Sequence, residues 1–380
     1  MGPREYLFIT GVARSGSTLV ARMLDALPEA AVASDPFFPL FRGLRDALVQ
    51  AAGLTLPSSA PMQDYYFTDA RIEMLDAVQA GTLDLPFDPA LRHVLLSQLA
   101  RRASVEAQDL VPHLDRMGGA TWRDVVASAL DIVRDVRSTS RYAGCKEVWT
   151  IELVPTLARA FPGARFVLLR RDPRAVLASL AVVGAADPTQ VGHPLSYARH
   201  WRKEVAFLHR FGRDADLSKR IHVVEYERLV RDPAGEARRL CTFLEIPFAE
   251  AMLDLAWPGN SGYEAQLDGI VADFAGRWRD TLGPASRALA ELVCGPEMEL
   301  VGYDAGARGP DEAAVLDLLV RSNGWEVSWR SDLGDPQRDY ELEIARRAAL
   351  AAAVEPATAR RLFLFPEVYD ALRARAPAVA

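Results

Sequence analysis

The chain of 380 residues contains three cysteines, Cys145, Cys241 and Cys294, far apart from one another. No Cys-x-x-Cys or Cys/His spacing suits zinc, and an odd number in a long chain points to reduced thiols. No apolar run approaches the roughly 18–20 residues that span a bilayer, so no membrane span is expected. Little sequence precedes the first apolar segment, which leaves no room for a signal peptide; a cytoplasmic setting is expected. The chain also lacks a positive excess. Its formal net charge is −7, which argues against broad nucleic-acid binding but not against a local basic cluster for a small anion. No fixed-period repeat is visible.

What remains is an ordinary globular composition, 50% apolar and 25% charged. This length allows one large or two small domains, with a core that needs no disulfide or metal. The Ala- and Arg-rich texture suits a bacterial source with a GC-rich genome.

Residues 6–10 (YLFIT) form a short apolar run that ends at a glycine loop, the pattern of a buried parallel strand. A helix follows, and Pro28 stops it. Residues 31–34 (AVAS), 142–146 (YAGCK), 165–169 (RFVLL) and 221–226 (IHVVEY) read as further strands. From about 40 to 138 the pattern is helical, with segments such as LFRGLRDALVQAAG and WRDVVASALDIVRDV. Helices then alternate with strands: IELVPTLARAFP with Pro155 inside it, DPRAVLASLAVVG, YARHWRKEVAFLHRFG and RDPAGEARRLCTFLEI. Alternation of this kind predicts right-handed crossovers and a covered, mostly parallel sheet with ligands at its carboxyl edge. The expected fold is α/β: a P-loop-type three-layer sandwich with a helical insertion at about 40–138 and a C-terminal helical extension. The expected domains are 1–304 and 305–380, joined at GARGPDE. The extension is left to pack on the core, to dimerise or to cover the site.

Residues 8–24 (FITGVARSGSTLVARML) have the frame of a phosphate-binding loop. Gly11 and Gly16 let the backbone curl, so that successive N–H groups converge on an anion at a helix N-terminus. Ser15, Ser17 and Thr18 add hydroxyls, and Arg14 adds a fork of donors with a permanent charge. A nucleotide-hydrolysing loop carries lysine directly after the second glycine; here that place is Ser17. The plain alternative is a glycine turn with no ligand. A second basic site is RFVLLRRDPRAVLASL, where Arg170, Arg171 and Arg174 crowd a helix start at Asp172-Pro173, suited to a dianion. Its alternative is a solvated basic helix start paired with acidic neighbours. Asp35 follows the second strand, where it either faces the site or caps the next helix. Lys146 ends a strand, where it either faces a ligand or pairs with Glu147 or Glu152 at the surface.

Together these motifs resemble the sulfotransferases that use 3′-phosphoadenosine-5′-phosphosulfate (PAPS). GVARSGSTL is similar to their 5′-phosphosulfate loop, with Ala13 where proline is frequent. RDPRAVLAS resembles their 3′-phosphate motif, which maps to Arg171 and Ser179. IHVVEYERLVRDP is similar to the following strand and turn, with Tyr226 near the adenine. FAGRWRDTLG resembles the Gly-Arg-Trp segment that closes on the donor, with Arg277 near the 3′-phosphate and Trp278 beside it. The likeness runs from residue 6 to about 304 and is strongest to bacterial sulfotransferases and the tyrosylprotein branch. It implies that Asp35 is the general base, with Asp for the branch's Glu, and that Lys146 touches the bridging oxygen. A histidine base is the fallback, from His93, His113, His193, His200, His209 or His222.

The expectation is therefore metal-free, in-line transfer of a sulfuryl group from PAPS to the hydroxyl of a small molecule, lipid or natural product. Asp35, Lys146 and Arg14 are the catalytic candidates. Arg14, Ser15, Gly16, Ser17, Thr18, Arg171, Ser179, Tyr226, Arg277 and Trp278 are the donor-binding ones. The partners expected are the acceptor and, through the extension, a second copy, with no nucleic acid. The aromatic residues Phe37, Phe38, Phe41, Tyr65, Tyr66 and Phe67 form either an acceptor pocket or ordinary core. Two readings stand beside this one: an ATP-dependent phosphotransferase, which needs a loop lysine and a metal-binding carboxylate, and a non-catalytic nucleotide binder.

Overall fold

The structure is a computed structural model. It describes residues 5–55, 66–139, 141–148, 150–186, 193–255, 270, 275–306, 311–322 and 335–375. In chain order come β1 (Glu5–Gly11), α1 (Ser17–Asp25), β2 (Ala30–Ser34), α2 (Phe38–Ala51), α3 (Asp69–Ala80), α4 (Pro89–Glu106) and α5 (Trp122–Arg137). β3 (Tyr142–Lys146), α6 (Val154–Ala160), β4 (Arg165–Arg170), α7 (Pro173–Ala186), α8 (Pro194–Gly212) and β5 (Ile221–Glu225) continue the alternation. Then follow α9 (Tyr226–Arg231), α10 (Pro233–Leu244), α11 (Trp278–Thr281), α12 (Pro284–Leu300), α13 (Glu312–Ser322), α14 (Pro336–Ala351), α15 (Pro356–Phe363) and α16 (Pro366–Arg373).

Proline begins many of these helices because its φ is already helical and its missing N–H is one that a first turn leaves unpaired. Pro155 obeys the same rule. The segment expected as one helix with an internal proline is a short 3₁₀ turn, Ile151–Leu153, followed by α6 with Pro155 in its first turn.

All strand pairs are parallel, in the order β2-β3-β1-β4-β5. Alternate side chains of each strand go to opposite faces, and both faces are buried. Tyr6, Phe8, Ala33, Cys145, Phe166 and Leu168 meet the insertion helices on one face. Leu7, Ile9, Val32, Val167 and Val224 meet α1 and α10 on the other. This is the expected three-layer α/β sandwich. The helices expected at 40–138 are α2 to α5, the last opened by a reciprocal Thr121/Asp124 capping box.

The expected C-terminal helical extension comprises, among the described residues, α13 to α16. Ala349, Leu350, Phe363, Phe365, Val368, Tyr369 and Leu372 share the core that the insertion helices build on the sheet. Buried ion pairs join the same regions: Glu343 on α14 holds Arg199 and Arg202 of α8, and Arg346 pairs with Glu297 of α12.

Candidate active site

Each of the five strands delivers a candidate residue at its carboxyl end. The loop follows β1, Asp35 follows β2, Lys146 ends β3, Arg171 follows β4 and Tyr226 follows β5. Register brings the ends of β2, β3 and β1 together: Lys146 lies opposite Ser34 on one side and Ile9 on the other. Tyr226, expected as the last residue of a strand, is the first residue of α9.

Both loop glycines are required by close approach. A Cβ on Gly11 would lie 2.8 Å from Ser15 Oγ, and one on Gly16 would lie 2.5 Å from Tyr226 Cδ2. Gly16 also has φ +97°, a region open to glycine but strained for other residues. The Ser15 N–H donates to Val12 O at 3.1 Å, which closes the turn. Gly16 is the N-cap of α1 and provides no side-chain cap, which leaves the helix N-terminus available to an anion. Ser15 Oγ is buried without a partner beside it.

Arg14 adopts φ 71°. Its Nε donates to Ser179 Oγ on α7 at 3.1 Å. Arg171 Nη1 donates to Arg14 O at 2.9 Å, and its guanidinium lies 3.9 Å from the centre of the Tyr226 ring. Ser179, Arg14, Arg171, Tyr226 and Gly16 thus form one connected chain of contacts. The expected three-cation field is corrected by the pairing of its members. Arg170 forms an ion pair with Glu225, and Arg174 forks onto Asp172 at 2.8–3.0 Å. Two of the three cations are therefore neutralised, as in the plain alternative, and Arg171 is the one that reaches the loop. Arg174 also lies 4.1 Å from the Trp278 ring, which packs against Ala175 and Ala178 of α7. Arg277 is exposed at the start of α11, one residue from that contact.

At the ends of β2 and β3, Lys146 is buried and forms an ion pair with Asp35. Neither surface partner considered for it holds: Glu152 pairs with Lys203, and Glu147 accepts the Phe37 N–H. Asp35 does not cap α2, which begins at Phe38 without a side-chain cap. It adopts φ 54°, donates its N–H to Lys146 O at 2.8 Å and accepts Arg102 Nε on its carbonyl at 3.0 Å. Asp35 Oδ1 and Glu147 Oε2 are buried without partners. Burial and the neighbouring Asp35 charge raise the Glu147 carboxyl well above the usual range.

Phe37, Phe41 and Tyr66 are fully buried core residues, Phe38 and Phe67 are partly buried, and Tyr65 lies outside the described residues. Among the histidines, His222 binds Glu236 and His193 caps α8. His200 is buried on α8, where burial and Lys203 hold it neutral. His93 is exposed, and His113 and His209 are partly buried. Among the described residues no group of His, Cys, Asp and Glu side chains is arranged to hold a metal ion, and no helix is long and apolar enough to cross a membrane.

Sequence reasoning placed α8 as a helix but missed its part in the site. Its Trp201 Nε1 donates to Arg171 O at 2.7 Å, and its Glu204 Oε2 accepts the Val12 N–H at 2.9 Å. Burial pushes the Glu204 carboxyl up to about 8, opposed by the Val12 N–H and the charges of Arg170 and Lys203. The signal available was the run Arg199-His-Trp-Arg-Lys-Glu204, which sets polar groups on every side of one helix instead of leaving an apolar stripe.

A parallel sheet whose first strand turns through a glycine loop into an uncapped helix defines a P-loop-type α/β protein. The model of the sulfotransferase family matches residues 7–250, and the chain belongs to that family. The matched span contains every candidate except Arg277 and Trp278. The protein-tyrosine sulfotransferase of Drosophila melanogaster is 22% identical over 345 residues, covering 86% of this chain and 58% of that protein. Protein-tyrosine sulfotransferase 1 of Danio rerio is 25% identical, covering 83% and 77%. The solved sulfotransferase domain of the Synechococcus PCC 7002 olefin synthase is 22% identical, covering 76% and 94%, with a TM-score of 0.43.

Proposed function

We propose that this chain moves the sulfuryl group of PAPS to an acceptor hydroxyl, an alcohol or phenol of a small molecule, lipid or natural product. The observation that carries the reading is the Lys146–Asp35 ion pair, one strand away from the phosphate-type loop. It sets a proton acceptor and a cation side by side where acceptor and donor would meet. Buried Ser15 Oγ and Asp35 Oδ1, both without partners, fit an anionic donor and a hydroxyl acceptor respectively.

The acceptor O–H gives its proton to the Asp35 carboxylate as its oxygen forms the bond to sulfur. The bond from sulfur to the 5′-phosphate oxygen breaks, and 3′,5′-adenosine bisphosphate leaves with the electron pair. Arg14, Lys146 and the N–H groups at the start of α1 stabilise charge growing on the leaving phosphate, by donors fixed before the reaction begins. Arg171, Ser179 and Arg277 recognise the 3′-phosphate, and Tyr226 and Trp278 flank the nucleotide. Ser17 in the lysine position argues against a triphosphate donor, whose charge a loop lysine and Mg²⁺ neutralise. A cytoplasmic location, a bacterial source and a homodimer belong to the same proposal and rest on the sequence alone.

Thermal stabilisation by 3′,5′-adenosine bisphosphate, compared with ADP and Mg²⁺, tests the donor. Larger stabilisation by the bisphosphate is expected; preference for ADP–Mg²⁺ overturns the reading. Asp35→Asn tests the base. It should keep bisphosphate affinity and lose transfer to phenols and alcohols from ³⁵S-labelled PAPS. Binding with no transfer by the unmodified protein, to any hydroxyl in a broad panel, would favour the non-catalytic alternative.

A further inference from the structure

We propose that Glu147 is the positioning residue of the acceptor base: its buried carboxyl clamps the 35–37 turn to the end of β3 and fixes where the Asp35 side chain points. The inference rests on the reading of Asp35 as base.

The turn needs a clamp. Asp35 sits at φ 54°, a left-handed conformation that a non-glycine residue holds only where its surroundings enforce it. The Asp35 N–H is bound by Lys146 O at 2.8 Å. Pro36 has no N–H to offer, so the next donor in the turn is the N–H of Phe37, whose side chain is fully buried. Glu147 Oε1 accepts it. Two consecutive residues at the end of β3, Lys146 and Glu147, therefore hold both sides of the strained residue.

Glu147 is itself fixed. Its N–H donates to Ile9 O at 2.9 Å and its carbonyl accepts Thr150 Oγ1 at 3.2 Å, which ties the clamp to the strand that leads into the phosphate loop. Burial and the neighbouring Asp35 charge raise the Glu147 carboxyl well above the usual range, which disfavours a second negative charge beside the base. The role needs an acceptor at this reach and no charge, so an amide of the same length should serve.

Three variants separate reach from charge. Glu147→Gln keeps an acceptor at the same length, Glu147→Asp keeps the carboxyl but withdraws it by one methylene, and Glu147→Ala removes both. Hydrogen–deuterium exchange at the Phe37 amide reads the clamp without any acceptor. Sulfation of p-cresol from ³⁵S-labelled PAPS reads kcat, and calorimetry with 3′,5′-adenosine bisphosphate reads the donor site. We expect protection and kcat to survive in Glu147→Gln, and Glu147→Asp and Glu147→Ala to lose Phe37 protection and about a hundredfold in kcat, the scale of a base displaced by about 1 Å. Bisphosphate affinity should stay unchanged. On an Asp35→Asn background, Glu147→Ala should cost no further turnover.

Unchanged Phe37 exchange in Glu147→Asp and Glu147→Ala overturns the proposal, as does a Glu147→Gln protein as inactive as Glu147→Ala. If Glu147→Ala does not fold, the comparison of Glu147→Gln with Glu147→Asp decides. If p-cresol is not sulfated by the unmodified protein, the exchange measurement decides. Full turnover by Asp35→Asn alone would instead break the underlying assignment of the base.

Discussion

Arg14 Nε donates to Ser179 Oγ across 3.1 Å, joining residues 165 positions apart in the chain. The hydrogen bond ties the loop after β1 to α7 and aims the Arg14 guanidinium, although the Arg14 backbone lies in the left-handed region. Arg171, which donates to Arg14 O, braces the same residue from the end of β4.

Arg14→Ala should therefore lower kcat by about 10²–10³, the usual cost of losing one preorganised donor to a developing negative charge. Ser179→Ala should act more mildly. Losing one hydrogen bond worth about 1 kcal/mol weakens 3′,5′-adenosine bisphosphate binding by roughly fivefold. Calorimetry for Ser179→Ala and single-turnover kinetics for Arg14→Ala check the two effects separately.

Gly16→Ala should abolish donor binding while the rest of the chain stays folded. The new Cβ meets the Tyr226 ring at 2.5 Å, and φ +97° is strained for any side chain. The left-handed backbone alone costs about 1–2 kcal/mol. Loss of the thermal shift with bisphosphate, alongside an unchanged far-ultraviolet spectrum, is the expected pair of results.

Glu204 makes stability depend on pH. Its folded pKa, pushed up to about 8 chiefly by burial, stands above the unfolded carboxylate value of about 4.3. Between these values the folded state holds a proton that the unfolded chain has released, so stability falls as pH rises through this window and levels off above it. Glu204→Gln keeps an acceptor for the Val12 N–H and cannot titrate. Urea unfolding at about pH 5 and about pH 8 should give a smaller difference in the variant, with a lost slope of up to about 1.4 kcal/mol per pH unit.

Glu343→Ala should destabilise the protein by about 3–5 kcal/mol, the scale of a buried ion pair broken from one side. It leaves Arg199 and Arg202 buried without the carboxylate they share. Burial opposes ionisation of Glu343, but the Arg202 and Arg199 charges outweigh it and hold its pKa down at about 2. Its contribution is thus present above the unfolded carboxylate value and is lost as pH falls from there toward about 2. Denaturant midpoints of the two proteins at neutral and acid pH provide the check.

Much of the loop region was legible as sequence because it is local. Glycine spacing, an apolar strand before it and a helical period after it are short-range signals, and the loop follows directly from them. Arg171 and Ser179 are also joined by a short segment of one strand–helix unit. The ends of β2 and β3 were legible only as an expectation for Asp35 and Lys146 taken separately. Their ion pair forms across 111 residues, and it exists because β2 and β3 are neighbours in the sheet.

The amino-acid order by itself determined the strand–loop–helix units and, through their alternation, the three-layer class, since apolar period and turn residues are short-range signals. Tertiary structure decided how the charges pair. Glu225 and Asp172 neutralise Arg170 and Arg174, Arg171 braces the loop, and α8 runs charged residues through the core to hold that loop from below. The physical reason is that a buried charge is defined by its partners. Those partners come from distant segments that only the folded sheet brings together.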